Sequence, residues 1–104
     1  WVNASPSEGM CLSLLEAWLA GVPCISTPTG AIPELEREYG RLVIPIPFGA
    51  DGQTIAQAIL RTPSRQELAR QTPSARELAW AKFTSAAMAA RWDNYLSQTI
   101  KERP

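Results

Sequence analysis

The first 45 residues alternate short apolar segments with helical patterns, and this alternation restricts the fold more than any other feature. Segments 1–5, 24–27 and 42–44 are typical of strands, because turn residues or prolines bound them. Between them, residues 10–20 carry a Leu- and Ala-rich helical pattern, and residues 32–39 predict a second, shorter helix. Strands that alternate with helices over short loops pair in parallel. The sequence therefore predicts an α/β fold with about three parallel strands.

The first helix has recognisable start and stop residues. Ser5 and Glu8 form a Ser-x-x-Glu pattern with Pro6 one residue inside it, which predicts a capping box at the helix start. Gly21 is well placed to end the helix in a left-handed conformation, and Pro23 prevents its continuation. We therefore expect a helix from Met10 to Ala20, starting close to Glu8.

From residue 53 onward the sequence predicts helices only. The first covers 53–61, and two further Ser-x-x-Glu patterns predict helix starts at Ser64 and Ser74. Thr84 is the expected N-cap of a last helix, which ends near Lys101. Four apolar residues follow one face of that helix at steps of four: Met88, Trp92, Leu96 and Ile100.

A parallel sheet of only three strands is small for an independent domain. Its outer strand would expose a hydrogen-bonding edge, and the apolar helix 10–20 needs cover on more than one side. Half of a larger doubly wound sheet would explain both facts. We predict one partial domain, 1–104, with a βα core at 1–61 and trailing helices at 62–104.

Composition excludes several classes of function. Ten basic residues balance ten acidic ones, which argues against electrostatic binding of nucleic acid. Without histidine the chain has no Ser-His-Asp triad, and two cysteines are too few for a structural zinc site, so we predict no metal. No run approaches the roughly 18–20 apolar residues of a membrane span. The cysteine usage favours a cytoplasmic setting, with peripheral membrane association left open.

Two glutamates belong to this region: Glu8 lies beside the predicted start of the first helix, and Glu16 lies within the helix. Glu8 can simply satisfy amides of the first turn and complement the helix dipole. Glu16 can be a surface residue, although a carboxylate inside an otherwise apolar run usually needs a partner. A functional interpretation links the two through a ligand bound at the start of the helix.

The start of this helix suits a phosphate or pyrophosphate. The amides of residues 9–12 would be unsatisfied donors, and Gly9 lets a ligand approach the backbone closely. Glu8 and Glu16 would accept hydrogen bonds from sugar hydroxyls on either side, since Glu16 lies roughly 6–10 Å beyond the helix start. In open α/β sheets such ligands bind at the carboxyl ends of strands. The candidate donor-binding residues are Gly9, Met10, Cys11, Leu12 and Glu16.

The stretch SPSEGMCLSLLEAWLAGVPCISTPTGAIPE, residues 5–34, resembles the nucleotide-sugar half of GT-B-fold retaining glycosyltransferases of the glycosyltransferase family 4, or group 1, type. That family carries an E-x7-E element followed by Gly-x-Pro and by a later glycine and glutamate. The positions that match its pattern in register are Ser5, Glu8, Gly9, Leu12, Glu16, Ala17, Gly21, Pro23, Gly30 and Glu34. Ala31 stands where the family has a second glycine.

The resemblance implies a GT-B C-terminal domain that transfers a glycosyl group from a nucleotide-diphosphate sugar to an acceptor hydroxyl with retention. By analogy, Glu8 would be the catalytic residue and would contact donor-sugar hydroxyls, while Glu16 would bind the ribose. Gly30 and Glu34 are further candidates. The resemblance implies no cofactor and no metal, because amides and basic side chains neutralise the diphosphate.

In that family the diphosphate-binding Arg and Lys and the acceptor domain lie upstream of such motifs. We therefore expect this chain to need the missing N-terminal acceptor domain or another chain as partner, and not to be competent alone. Arg37 and Arg41 are interpreted as solvated surface residues. Two alternatives remain: a non-catalytic glycosyltransferase-like module that pairs with another chain or with itself through the sheet edge, and another α/β enzyme in which Glu8 merely caps.

Overall fold

A computed structural model describes residues 1–62 and 75–103, and its strands form one parallel sheet. The strands are β1 (Val2–Asn3), β2 (Ile25–Ser26) and β3 (Ile44–Pro45). β2 lies in the centre, with Ile25 paired to Val2 on one side and to Ile44 on the other. The predicted α/β fold with three parallel strands is confirmed.

Helices connect and follow the strands. They are α1 (Leu12–Leu19), α2 (Ile32–Tyr39), α3 (Gly52–Arg61), α4 (75–82 of the described residues) and α5 (Ser85–Lys101). The cap predicted for the last helix is confirmed, since the Thr84 side chain accepts a hydrogen bond from the Ala87 amide at 3.2 Å. The helix starts predicted at Ser64 and Ser74 lie outside the described residues. Among residues 1–62 and 75–103, none of the helices combines the length and hydrophobicity that crossing a bilayer requires.

The start of α1 differs from the prediction. The helix begins at Leu12 rather than Met10, and Cys11 is its N-cap with no side-chain hydrogen bond to the first turn. The capping box predicted for Ser5 and Glu8 is therefore wrong. The Ser5 hydroxyl instead donates to the Ser7 carbonyl at 2.9 Å, so this serine stabilises the loop before the helix.

The end of α1 follows the prediction closely. Gly21 has φ +70°, and its amide donates to the Trp18 carbonyl at 2.9 Å. The next amide, of Val22, donates to the Ala17 carbonyl at 2.8 Å. These two bonds form a Schellman motif, in which glycine adopts the left-handed conformation at little cost.

The core lies between α1, the sheet, α2 and α4. Trp18 is the largest residue of this core, and its side chain is fully buried. Ala75, Leu78 and Ala79 of α4 cover the same cluster, so part of the trailing region belongs to the core. The buried cluster comprises Leu14, Leu15, Ala17, Trp18, Cys24, Ile32, Leu42, Val43, Ala75, Leu78 and Ala79.

The apolar stripe of α5 faces outward in the described part of the chain. No residue of α5 is buried, and the side chains of Trp92 and Tyr95 meet edge-to-face with ring centroids 6.0 Å apart. Trp80 is also more than half exposed, whereas Phe83 packs against the core. Among the described residues the α5 stripe therefore does not pack on the sheet.

Candidate functional site

Two loops leave the sheet at the same edge and approach one another. The β1–α1 loop covers residues 4–11, and the β2–α2 loop covers residues 27–31. Because β1 and β2 are parallel neighbours, their carboxyl ends lie side by side, and both loops begin there. This is the sheet edge at which the sequence predicts a ligand.

A buried threonine joins the two loops. Thr27 is fully buried, and its hydroxyl donates to the Ser5 carbonyl at 2.6 Å. The backbone of Thr27 is held as well, since its amide donates to the Asn3 carbonyl at 3.1 Å. On the other side, the Thr27 carbonyl accepts the Ser26 hydroxyl at 2.9 Å and the Thr29 amide at 2.8 Å. The start of the β2–α2 loop is therefore a hydrogen-bonded anchor for the loop that carries Glu8.

Glycine at position 30 allows the second contact between the loops. Gly30 has φ +59°, and its Cα lies against the backbone of the Glu8–Gly9 segment. A Cβ at this position would overlap the Gly9 carbonyl oxygen and would lie 3.2 Å from the Glu8 carbonyl oxygen. Position 30 therefore requires glycine for two reasons: its positive φ, and the close approach of the Glu8–Gly9 backbone. Ala31 has φ −80°, so the missing second glycine creates no backbone strain.

The start of α1 is open toward the β1–α1 loop. The Leu14 amide donates to the Cys11 carbonyl at 3.1 Å. Among the described residues no side chain caps the first turn, to which Leu12 and Ser13 contribute their amides. The first turn contains no acidic residue. Such unsatisfied amides, together with the helix dipole, favour an anion. The Ser13 amide was not among the predicted donors, because the start of the helix was predicted two residues too early.

Glu8 is exposed and lies in the loop, three residues before the N-cap. It neither caps α1 nor belongs to its first turn, so the interpretation of Glu8 as a helix cap is wrong. Gly9 and Met10 follow it in the same exposed segment, and Cys11 is half-buried. The structure thus brings the Glu8–Gly9 segment, Gly30 and the start of α1 together.

Glu16 lies on the exposed face of α1. Leu12 and Glu16 are four residues apart, so they share one face of the helix, and both are exposed. The opposite face carries the buried residues that contact the core. The carboxylate of Glu16 is therefore available to a ligand about one turn, roughly 6 Å, from the first residue of the helix.

Several charged residues lie on α2 or shortly after it. Glu34 is exposed in the first turn of α2, where its charge complements the helix dipole. Arg37 and Arg41 are exposed, which confirms that they are surface residues. Glu36, which no sequence pattern marked, has a structural role: its carboxylate accepts hydrogen bonds from the amides of Leu42 and Val43, at 2.8 and 3.0 Å.

The two cysteines are free thiols with different environments. Burial raises the pKa of Cys24 to about 11, and its thiol donates to the Val22 carbonyl at 3.3 Å. Cys24 is a buried small hydrophobe, whereas Cys11 is half-buried with its Sγ 3.2 Å from the Ser13 hydroxyl. Within residues 1–62 and 75–103, His, Cys, Asp and Glu side chains form no group of three that could hold a metal ion.

Comparison with known proteins gives one match. A family model described as Glycosyl transferases group 1 matches residues 1–64, which is more than half of the chain. The matched segment contains the sheet, α1 to α3 and both loops at the candidate site. No curated protein and no solved structure matches the chain.

Proposed function

The chain belongs to the glycosyl transferases group 1 family, and from this premise we propose that it supplies part of the donor site for transfer with retention of configuration. Membership of this family implies transfer of a glycosyl group from a nucleotide sugar. In the proposed reaction the donor is a nucleotide-diphosphate sugar, and the acceptor is a hydroxyl group. The observation that carries the proposal is the uncapped start of α1 between the Glu8 loop and the exposed Glu16.

The diphosphate end of the donor would lie at the start of α1. The amides of the first turn and of the preceding segment would donate hydrogen bonds to phosphate oxygens, and the helix dipole favours their negative charge. This arrangement needs no side chain between the helix and the ligand, which agrees with the absence of a side-chain cap on α1 in the described residues. The proposed donors are the amides of Gly9, Met10, Cys11 and Leu12, with Ser13 added by the observed helix start.

The two glutamates would bind the sugars on either side of the diphosphate. Glu16, one turn into α1 on the exposed face, would accept hydrogen bonds from the ribose hydroxyls. Glu8, in the loop at the other side, would contact hydroxyls of the donor sugar and act as the catalytic residue. A carboxylate held there stabilises the positive charge that develops on the sugar ring, while the leaving phosphate assists the incoming hydroxyl from the same face.

The described residues to which a role is assigned at the proposed site include no positively charged side chain. A diphosphate needs positive countercharge when no metal is used, and Arg37 and Arg41 are exposed surface residues on or after α2. We assign that countercharge, and the acceptor site, to groups outside residues 1–104. Residues 1–104 by themselves are therefore expected to show no glycosyl transfer.

The ribose role is tested by titrating the natural full-length protein with UDP, ADP and GDP. Glu16→Gln should weaken binding of the preferred diphosphate about 10- to 100-fold, the range expected when a charged acceptor is lost. Glu38→Gln, an exposed carboxylate on α2, is the matched control and should bind like wild type. The 2′,3′-dideoxy form of the same nucleotide should bind wild type and Glu16→Gln equally. Equal binding of the ribose nucleotide to both proteins would contradict the proposal.

A second candidate function is a non-catalytic module that pairs with another chain. The exposed apolar stripe of α5 and the short outer strands β1 and β3 favour it. Sedimentation of the full-length protein distinguishes the two. A monomer that binds a nucleotide diphosphate supports the donor site, whereas a stable complex that binds no nucleotide supports the module.

A further inference from the structure

The β1–α1 loop has few ties to the rest of the protein. It runs for eight residues, 4–11, and its Glu8–Met10 segment is exposed. The hydrogen bonds described within it are local, between Ser5 and Ser7 and from the Ser5 amide to the Asn3 side chain at 3.0 Å. A loop held only by such bonds would sample many positions.

The β2–α2 loop makes the contacts with the β1–α1 loop that are distant in sequence. The Thr27 hydroxyl donates to the Ser5 carbonyl at 2.6 Å across 22 residues of sequence, and Gly30 contacts the backbone of Glu8 and Gly9. Gly30 can only limit how close the loop approaches, because it has no side chain to hold it. Thr27 is the group that can hold the loop in place.

We propose that Thr27 is a positioning residue for the donor reaction, acting through Ser5 on the catalytic Glu8. The proposal rests on the function proposed above. Thr27 is suited to this role because its own backbone is held by hydrogen bonds at the amide and at the carbonyl. Its hydroxyl therefore has a defined direction, and full burial removes competition from water. Ser5 lies three residues before Glu8, so its carbonyl sets where the exposed segment begins.

The test compares three variants of the natural full-length protein. Thr27→Val removes the hydroxyl while keeping nearly the same volume, and Thr27→Ser keeps the hydroxyl. Thr99→Val is the matched control, because the Thr99 hydroxyl donates to the Tyr95 carbonyl at 2.9 Å on the exposed α5, away from the site. Loop order is read from heteronuclear ¹⁵N relaxation at Gly9. Activity is read as nucleoside diphosphate release in the hydrolysis of UDP-glucose, GDP-mannose or ADP-glucose, whichever wild type uses, with water as the acceptor of the glycosyl group.

In Thr27→Val we expect lower order at Gly9 and a kcat about 10- to 100-fold below wild type, since small misplacements of a catalytic group have effects of this size. The Kd for the free nucleoside diphosphate should rise by less than kcat falls, because Leu12, Ser13 and Glu16 belong to α1 and only the amides of the loop move with Thr27. Thr27→Ser should restore both readouts, and Thr99→Val should change neither. A merely structural role would instead lower kcat and nucleotide binding together with the folded fraction.

Two results would overturn the proposal. Unchanged order at Gly9 in Thr27→Val would show that the hydroxyl does not hold the loop, whatever the ligand. A kcat of Thr27→Val equal to that of Thr99→Val would show that the loop position does not matter for the reaction. Wild-type protein that neither binds a nucleoside diphosphate nor releases one from any of the three donors would contradict the proposed function itself, and the role of Thr27 in it.

Discussion

Replacement of Gly30 by alanine tests the close contact between the two loops. An alanine at φ +59° adopts a left-handed conformation, which costs about 1–2 kcal/mol for a residue with a Cβ. Its methyl group would also overlap the Gly9 carbonyl oxygen, so the backbone of one loop must move. Forced displacement of this kind in packed structure costs about 1–3 kcal/mol more. We expect the free energy of unfolding to fall by about 2–5 kcal/mol in total.

Gly49→Ala separates the two contributions. Gly49 has φ +72°, but a Cβ there would meet no atom within 4 Å, so this variant should lose only the conformational part, about 1–2 kcal/mol. Gly9→Ala is a second control, because Gly9 needs no positive φ and also has free space around it. The free energies of unfolding of all three glycine variants come from guanidinium unfolding of the natural full-length protein, followed by tryptophan fluorescence.

The loss in the free energy of unfolding is compared between Gly30→Ala and Gly49→Ala to test the close contact of the two loops. A difference of about 1–3 kcal/mol is expected from the overlap with Gly9. Equal losses in the two variants would show that the loops do not approach each other as closely as described. The role assigned to the Glu8–Gly9 segment would then lose its structural support.

Three further predictions concern single groups. Glu36→Ala leaves two amides of the segment before β3 without an acceptor and should lower the free energy of unfolding by about 2–4 kcal/mol, whereas Glu36→Gln should lose less; equal losses would argue against the hydrogen bonds. At pH 8 a thiol reagent should modify Cys11 in the folded protein and should reach Cys24 only after unfolding. Because burial raises the pKa of Cys24 to about 11, the stabilisation from its neutral thiol should be lost as the pH rises from about 9 to about 11. Hydrogen bonds, chiefly from the Thr54 amide, lower the pKa of the Asp51 carboxyl in the folded protein. The carboxylate therefore stabilises the fold above its unfolded-state pKa, and this stabilisation is lost as the pH falls through its folded-state pKa. The free energy of unfolding of Asp51→Asn, measured between about pH 2 and 5, should depend less on pH than that of wild type.

The order of strands and helices could be predicted from the sequence because local residues determine it. Gly21 and Pro23 end α1 through contacts within one turn, and Thr84 caps α5 by a bond to a residue three positions away. The parallel pairing follows from the alternation itself, since a helix between two strands returns the chain in the same direction. The candidate glutamates were equally visible, because the E-x7-E spacing is a property of the sequence alone.

The arrangement around Glu8 was decided only by the tertiary structure. The Ser5–Glu8 pattern predicts a helix cap, yet the Ser5 carbonyl accepts a hydrogen bond from the Thr27 hydroxyl, and α1 begins four residues after Glu8. The start of a helix after a long loop depends on where that loop is held, and here Thr27, which holds it, lies 22 residues away from Ser5 in sequence. Local propensity cannot report such bonds, because both partners acquire their positions only when the strands pair and bring the two loops to one edge.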